Sequence, residues 1–502
     1  MTVRQTDLKF TKPLKWLLLS LFFKTLFYFT FIYGDTNPRK NTIGCFSKLR
    51  DYDEYLRPIN NLIEKGTYSL DGKTEPYAGR LPGFVFPYII FRALFNENTS
   101  NILLGIFILA LSIIASYVFS LLVYSLIRKR WAFTTAFFTL NCVPFFWHFD
   151  WALHANSLAA SCFIFFLYFF YFFTENRKPK YLLFAGFFIA WVALLRGFCL
   201  ILIPVAFLFI IYFLFAQKKS IKQILITVFI FILPFTFFEG IWITRNYISL
   251  KKFIPLQTSF VPGSDSKNPE YSAGMITKHS MMSVRKLIFA WGGDNTWYFK
   301  NSDMAWFVRE NDPLAKDFKF NENIFFEGFS IDSLESLKFS IVYSFKHSLP
   351  KKQEDSVENV ISATANRYHA RFVENKTAYF YLYAPLLRFK HFVLRNPSQD
   401  WPGPSFSNCN LPQKAFRLLS AFQYFLILSV ILFFPIVFLL RKRKMRQSGF
   451  YPFLYLLLII HIVPFITIIY MSHYSYFIFG YILLIPMLIY SIDSLISKKQ
   501  NG

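Results

Sequence analysis

Apolar runs close to the ~20 residues that cross a hydrocarbon core recur along the chain, separated by short basic stretches. The pattern predicts about ten membrane-spanning helices, roughly over 16–33, 102–127, 131–149, 155–174, 181–197, 199–216, 224–243, 416–440, 451–470 and 475–494. The stretch 181–216 reads either as one long buried helix or as two shorter spans. Arg196-Gly197 interrupts it midway and basic residues flank both ends, which favours two spans turning at the outer face. The first run follows Arg4, Lys9, Lys12 and Lys15 and carries no small-residue cleavage site, so an uncleaved first span is expected.

Two long segments separate the spans. The first, about 34–101, ends in "GRLPGFVFPYIIFRALF". That stretch is too short and too punctuated by Pro82, Gly83 and Pro87 for a span, and is expected to lie in or dip into the interface. The second, about 244–415, is far longer than an ordinary connection and must have structure of its own. It holds more than half of the 29 acidic residues. Within it, "RYHARFVENKTAYFYLYAPLLRFKHFVLRNP" alternates aromatic and basic residues, as suits either an amphipathic helix at the headgroups or a buried packing helix. The expected organisation is an N-terminal membrane domain (1–243), an outer-face segment (244–415) and C-terminal transmembrane helices (416–502). The fold class is all-α and polytopic.

Composition agrees: 54% of the 502 residues are hydrophobic and 21% aromatic, more apolar surface than a soluble protein needs. The net charge of +25 would suit nucleic acid, but much of the excess lies in runs between spans. Arg128-Lys129-Arg130, Arg177-Lys178-Pro179-Lys180, Lys218-Lys219 and Arg441-Lys442-Arg443-Lys444 follow the positive-inside pattern. The charge therefore orients the chain with both termini cytoplasmic, membrane lipids are its surroundings, and nucleic acid is not an expected partner. Five cysteines show no CxxC spacing. Cys142, Cys162 and Cys199 fit small core residues, while Cys45 and Cys409 fall in outer segments and are either a disulfide or two free thiols.

Candidate chemistry begins after the first span, in "RDYDEYLRPINNLIEKGTYS", where Asp51, Asp53 and Glu54 crowd four residues. On a helix begun near Asp51, Asp51 and Tyr55 share a face while Asp53 points elsewhere. Leu56, Ile59 and Ile63 then form a stripe for docking on the membrane domain. A carboxylate held there could act as a general base on a bilayer-borne substrate, or the acids could be an exposed turn offset by Arg50 and Arg57.

The series Asp51-x-x-x-Tyr55, Asn61-Leu62, Gly66-x-Tyr68-Ser69 and Arg80-Leu81-Pro82-Gly83-Phe84 resembles the first outer loop of polyprenyl-phosphate-dependent membrane glycosyltransferases. These are the GT-C-type enzymes of the protein O-mannosyltransferase and aminoarabinose-transferase superfamily. "PFFWHFDWALHANSLAA" resembles their outer turn between the third and fourth spans, and "GFFIAWVALLRGF" the segment closing the fifth. "GIWITRNYISLKKFIPLQTSFVPG" is similar to their Trp-x-x-Arg-Asn-Tyr motif after the seventh. The likeness covers most of the membrane domain and little of 264–360.

The resemblance implies a GT-C-like bundle in a bacterial plasma membrane that moves a sugar from a polyprenyl-phosphate carrier to a lipid, glycan or protein acceptor at the outer face, with inversion. It makes Asp51 the expected general base, Asp53 the runner-up and Asp35 a distant third. Arg80, Arg196 and Arg245 are expected near the leaving phosphate, where a planar guanidinium can bond two oxygens at once. Snorkelling, or a salt bridge to an acid such as Glu239, is the alternative for Arg196; loop capping is the alternative for Arg80.

Tyr55, His154 and Asn156 complete the expected substrate contacts. Relatives often carry an acid where this chain has His154-Ala155-Asn156-Ser157, so a two-acid arrangement would need Asp150. His473-Tyr474 stands where many relatives have an arginine-tyrosine pair. A divalent cation could help to hold the lipid phosphate, but no dedicated cage is apparent and the metal stays open. "AWGGDNTWYF" reads as a sugar platform or an ordinary packed turn. A flippase for lipid-linked sugars or an O-antigen-type polymerase remains the alternative; a flippase predicts charges deep in several spans.

Overall fold

The computed structural model describes residues 12–33, 42–48, 52–70, 76–142, 149–256, 279–295, 302–308, 317–347, 349–394, 406–440, 449–468 and 474–499. They are helical almost throughout. The strands Thr42–Ile43 and Phe46–Ser47 form a small antiparallel hairpin around Gly44, whose φ of 57° suits glycine. The chain divides into two compact units. One comprises Met1–Gln257, Asn396–His461 and Ile478–Gly502; the other comprises Thr258–Arg395 and Ile462–Phe477.

Among the described residues, eight helices are long and apolar enough to cross a membrane: Pro13–Phe31, Glu97–Ile127, Ala155–Asn176, Gly197–Ala216, Ile221–Leu250, Leu411–Leu440, Phe450–Thr467 and Ile478–Ile496. Each overlaps an expected span, so the chain is an all-α polytopic membrane protein. The other two expected spans are shorter. Pro179–Leu195 has 17 residues, and the helix at 131–149 is only Arg130–Asn141, 12 residues. Twelve residues rise ~18 Å, short of the ~30 Å hydrocarbon thickness. Residues 143–148 lie outside the described ones.

The ambiguous stretch 181–216 is two helices. Arg196 leaves helical geometry (φ −143°, ψ 97°), and a 3-10 turn over Gly197–Ile201 begins the next helix. Phe169 packs on Phe184 at 5.1 Å while its neighbour Phe170 packs on Phe209 at 5.9 Å. On one straight helix, Phe184 and Phe209 would stand ~37 Å apart, so the chain turns back at Arg196.

Close helix packing uses small residues, as expected where lipid removes the hydrophobic drive between helices. Ser112, Ser116 and Ser120 form an i, i+4 stripe that is buried along Glu97–Ile127. A Cβ on Gly186 would lie 2.2 Å from the Phe231 carbonyl oxygen, so this glycine lets Pro179–Leu195 approach Ile221–Leu250. Basic residues cap several spans: Arg128 and Arg177 take left-handed geometry after their helices, where a cation suits the negative end of the helix dipole.

The segment between the first span and Glu97–Ile127 contains the helix Tyr52–Lys65, a 3-10 turn Pro82–Phe84 and the short helix Val85–Leu94. Tyr52–Lys65 buries Tyr52, Tyr55, Leu56 and Ile59. The expected stripe stops there: Ile63 is exposed, because the helix ends two residues on and Gly66 (φ 73°) turns the chain away. The side chain of Asn61 donates to the Ser69 and Leu70 carbonyls at 2.8 and 3.2 Å, closing that turn and accounting for its place in the motif.

The second unit is built on His279–Ala290 and Lys351–Asn375 around Trp291, Phe307, Phe329, Leu334 and Phe372. The aromatic-basic stretch is helical to Leu394, with π-type turns at Tyr379–Tyr383 and Lys390–Leu394. It buries Phe372, Arg388, Phe392 and Val393 yet exposes Tyr381, Leu382 and Leu386. Its Arg388 donates from Nε to the Phe289 carbonyl at 2.9 Å and from Nη1 to the Ile466 carbonyl at 2.6 Å. All five cysteines are free thiols.

Candidate active site

The helix Tyr52–Lys65 supplies the first side of the site. Tyr55 points inward, its ring edge-on to Phe84 at 5.3 Å, and its hydroxyl accepts from Arg196 Nη1 at 3.5 Å. Arg196 occupies the break between two helices and is buried. Its Nη2 lies 3.2 to 3.3 Å from both ring nitrogens of His154. The backbone N–H of Asn156 donates to His154 Nδ1 at 3.2 Å, so that nitrogen is an acceptor. His154 thereby caps Ala155–Asn176 and stacks on Phe149 at 5.1 Å. Asn156 is buried beside it.

Arg80 faces Tyr55 from another side, its guanidinium carbon 5.2 Å from the ring centre. Its Nε and Nη2 both donate to Glu54 Oε2 at 2.6 Å. Tyr77 lies close by; burial first, then the Glu54 carboxylate, pushes its phenol upward, so it remains a neutral donor. Its hydroxyl is buried without a hydrogen-bond partner. Arg80, Leu81, Pro82 and Gly83 carry this corner onto the end of Pro179–Leu195. Trp191 Nε1 donates to the Gly83 carbonyl at 2.9 Å, and a Cβ on Gly83 would stand 2.6 Å from the Leu194 carbonyl group. Glycine is needed here because two backbones meet.

The structure thus brings Tyr55, Arg80, His154 and Arg196 into one cluster, with Asn156 behind His154. Arg245 is engaged differently. It donates to the Tyr77 carbonyl at 2.7 Å, to the Tyr68 carbonyl at 3.5 Å and to Asn246 Oδ1 at 2.8 Å, and lies 4.4 Å from the Tyr68 ring centre. Asn246 in turn donates to the Ile254 carbonyl at 3.0 Å, so the Trp-x-x-Arg-Asn motif pins loop backbone. Glu239 accepts from the Leu256 N–H at 2.7 Å.

Asp53 sits on the outward side of its helix, 59% exposed, paired with Arg57 at 3.0 Å. Asp51, Asp35 and His473 lie outside the described residues. Tyr52, the first described residue of the helix, directly follows Asp51. Glu54, which sequence reasoning passed over, is the acid of this turn that faces the cluster, at 12% exposure. Its pairing with Arg80 across 26 residues left no local signal. Among the described residues, no group of three or more His, Cys, Asp and Glu side chains is placed to hold a metal ion.

Behind the cluster, Lys24 and Asp150 form a buried ion pair. Lys24 also donates to Ser112 at 2.9 Å, and Ser157 donates to the other oxygen of Asp150. Trp151 Nε1 reaches back to the Lys24 carbonyl at 2.9 Å. This pair braces the turn that presents His154, and it commits Asp150 away from any role as a free second acid.

Residues 82–242 match the family model of dolichyl-phosphate-mannose-protein mannosyltransferase. No curated protein and no solved structure matches the chain. The matched stretch carries Gly83, His154 and Arg196 but leaves the acid turn at 51–54 outside it. On a helical membrane architecture, that match supports a membrane glycosyltransferase of the GT-C type, the class that the sequence motifs resemble.

Proposed function

We propose that the chain transfers a sugar from a polyprenyl-phosphate carrier to an acceptor hydroxyl on a lipid, glycan or protein, at the outer face of a bacterial plasma membrane with both termini cytoplasmic. The observation that carries this reading is the convergence of Arg196, Arg80 and His154 around Tyr55, with Glu54 beside them. In the reaction, the acceptor oxygen attacks the anomeric carbon from the face opposite the phosphate, and the sugar–phosphate bond breaks with inversion. The acceptor proton passes to a carboxylate, and the bond's electron pair leaves on the lipid phosphate. Arginine donors at that oxygen act on charge that grows in the transition state.

Arg196 is the principal donor in this reading, because its guanidinium meets both Tyr55 and His154, two of the expected substrate contacts. Arg80 is partly neutralised by Glu54, and Arg245 serves to hold the loop. Asp51 is the base in this reading: it stands four residues before Tyr55 in the sequence, and Glu54 is already engaged by Arg80. Asp53 becomes the base if its exposed contact with Arg57 yields to substrate. A divalent cation at the lipid phosphate would be held by these same acids.

Sugar transfer by lipid-reconstituted protein tests the assignment, comparing Asp51→Asn, Asp53→Asn and Glu54→Gln at equal melting temperature. Loss of about 100-fold or more confined to Asp51→Asn supports it. Loss confined to Asp53→Asn moves the base by two residues and keeps the enzyme class. Full activity in all three sinks the carboxylate mechanism. The buried Lys24–Asp150 pair is the observation that favours a flippase. Transbilayer movement of labelled lipid-linked sugar without transfer would establish that reading instead.

A further inference from the structure

The second unit holds a cation that the reaction above does not use. Arg285, on His279–Ala290, is only 6% exposed, and its Nε and Nη2 are buried with no hydrogen-bond partner. No carboxylate lies within ion-pair distance of it among the described residues; the Tyr476 phenol is the neighbour that favours its charge. Burial presses the guanidinium down to about 10, so it is still charged at neutral pH. A buried charge left unpaired is among the costliest features a fold can carry, by several kcal/mol.

The two atoms concerned are one edge of the guanidinium. Nε–H and the adjacent Nη2–H point the same way and match two oxygens of a carboxylate or phosphate. Arg80 uses this same pair of atoms on Glu54. Asn295 follows in the Gly292-Gly293 turn. Its side-chain nitrogen donates to the Arg285 carbonyl at 3.3 Å, while its Oδ1 is buried and unpartnered. Asn295 is thus anchored on the backbone of Arg285. The two residues together offer an unmet acceptor and an unmet double donor, the complement of a ligand that carries both a hydroxyl and an oxyanion.

The turn is fixed independently. Asp303 accepts from Trp291 Nε1 at 2.8 Å and from the Asp294 N–H at 2.7 Å. Gly292 has φ 77° and would bring a Cβ within 2.9 Å of the Ala384 carbonyl oxygen. Asn295 therefore stands on a rigid support.

We propose that Arg285 and Asn295 form a binding site in the second unit for a hydroxyl-bearing oxyanion, of the sugar-acid or sugar-phosphate kind. The guanidinium edge takes two anionic oxygens and Asn295 Oδ1 accepts from a hydroxyl. The site is built from residues of the second unit and does not depend on which acid serves beside Tyr55.

Binding to the full-length protein in nanodiscs tests it by calorimetry, with glucuronate, glucose 6-phosphate, acetate and inorganic phosphate as probes. Saturable binding of glucuronate or glucose 6-phosphate is expected, and the stronger of the two tells carboxylate from phosphate. Arg285→Gln should weaken it about 10- to 100-fold, and Arg285→Lys should recover only part. Asn295→Ala should weaken the hydroxylated probes by about 2- to 10-fold and leave acetate and phosphate unchanged. Asn295→Ala keeps the charge, so it decides the matter if Arg285→Gln fails to fold. No saturable binding by wild type, or equal binding by Arg285→Gln, overturns the proposal. So does an equal loss of all four probes in Asn295→Ala.

Discussion

Arg196 Nη1 reaches the hydroxyl of Tyr55 at 3.5 Å, across 141 residues of chain. The contact joins the two segments most suggestive in the sequence, the acid-rich stretch that follows the first span and the arginine that ends Pro179–Leu195. Tyr55 orients the guanidinium but adds no charge, so Tyr55→Phe should lower kcat/KM by about 2- to 10-fold, the scale of one neutral hydrogen bond. His154→Gln, which keeps an acceptor, should cost less than His154→Ala. Steady-state transfer assays on the three variants check the order.

Gly83 makes a second prediction. A methyl there would stand 2.6 Å from the Leu194 backbone, which cannot yield as a side-chain tip could. Gly83→Ala should destabilise by about 1–3 kcal/mol and shift Arg80 relative to Arg196. Loss of transfer should then exceed the loss of melting temperature. Gly66→Ala, at φ 73° but with open space around it, should lower stability without that disproportion.

The Lys24–Asp150 pair is intramolecular bracing in this account. Lys24→Met leaves a buried carboxylate uncompensated and should cost about 3–5 kcal/mol. Adding Asp150→Asn should return a good part of that, because Ser157 keeps its acceptor. Thermal melting in lipid measures both. A double variant no better than the single one would contradict a direct pairing.

Two groups in the second unit give opposite pH responses. Burial pushes Asp303 up to about 6 from an ordinary value near 3.8. Its stabilising contribution is complete below about 4 and is lost as pH rises through about 6. Burial, then Lys286 and Arg388, pushes His369 down to about 4 from 6.5. Its contribution is present above about 6.5 and is lost as pH falls through about 4. The wild type should therefore melt at nearly constant temperature over this window. His369→Gln should become more stable on acidification and Asp303→Asn less stable, which melting curves from pH 4 to 7 would reveal.

The sequence was most legible where period and length decide. Apolar runs located the spans, and Arg196-Gly197 marked a genuine reversal because an arginine cannot continue an apolar helix cheaply. Tyr55, Arg80, His154 and Arg196 are all legible as candidates from residue type and place in the motifs. What stayed hidden was pairing at long range. Nothing local indicates that Glu54 meets Arg80, that Lys24 meets Asp150, or that Arg245 serves carbonyls. Ile63 shows the limit of periodicity: it lies on the right face of a helix that ends too soon to bury it.

The most direct test of the central claim is turnover of a panel of polyprenyl-phosphate sugars by lipid-reconstituted wild type and Arg196→Gln. Released polyprenyl phosphate and transferred sugar would be measured together. The account predicts that wild type consumes at least one donor with equal amounts of both products. Arg196→Gln should lose about 10- to 100-fold in rate while melting normally. An Arg196→Gln protein that turns over as fast as wild type would contradict it.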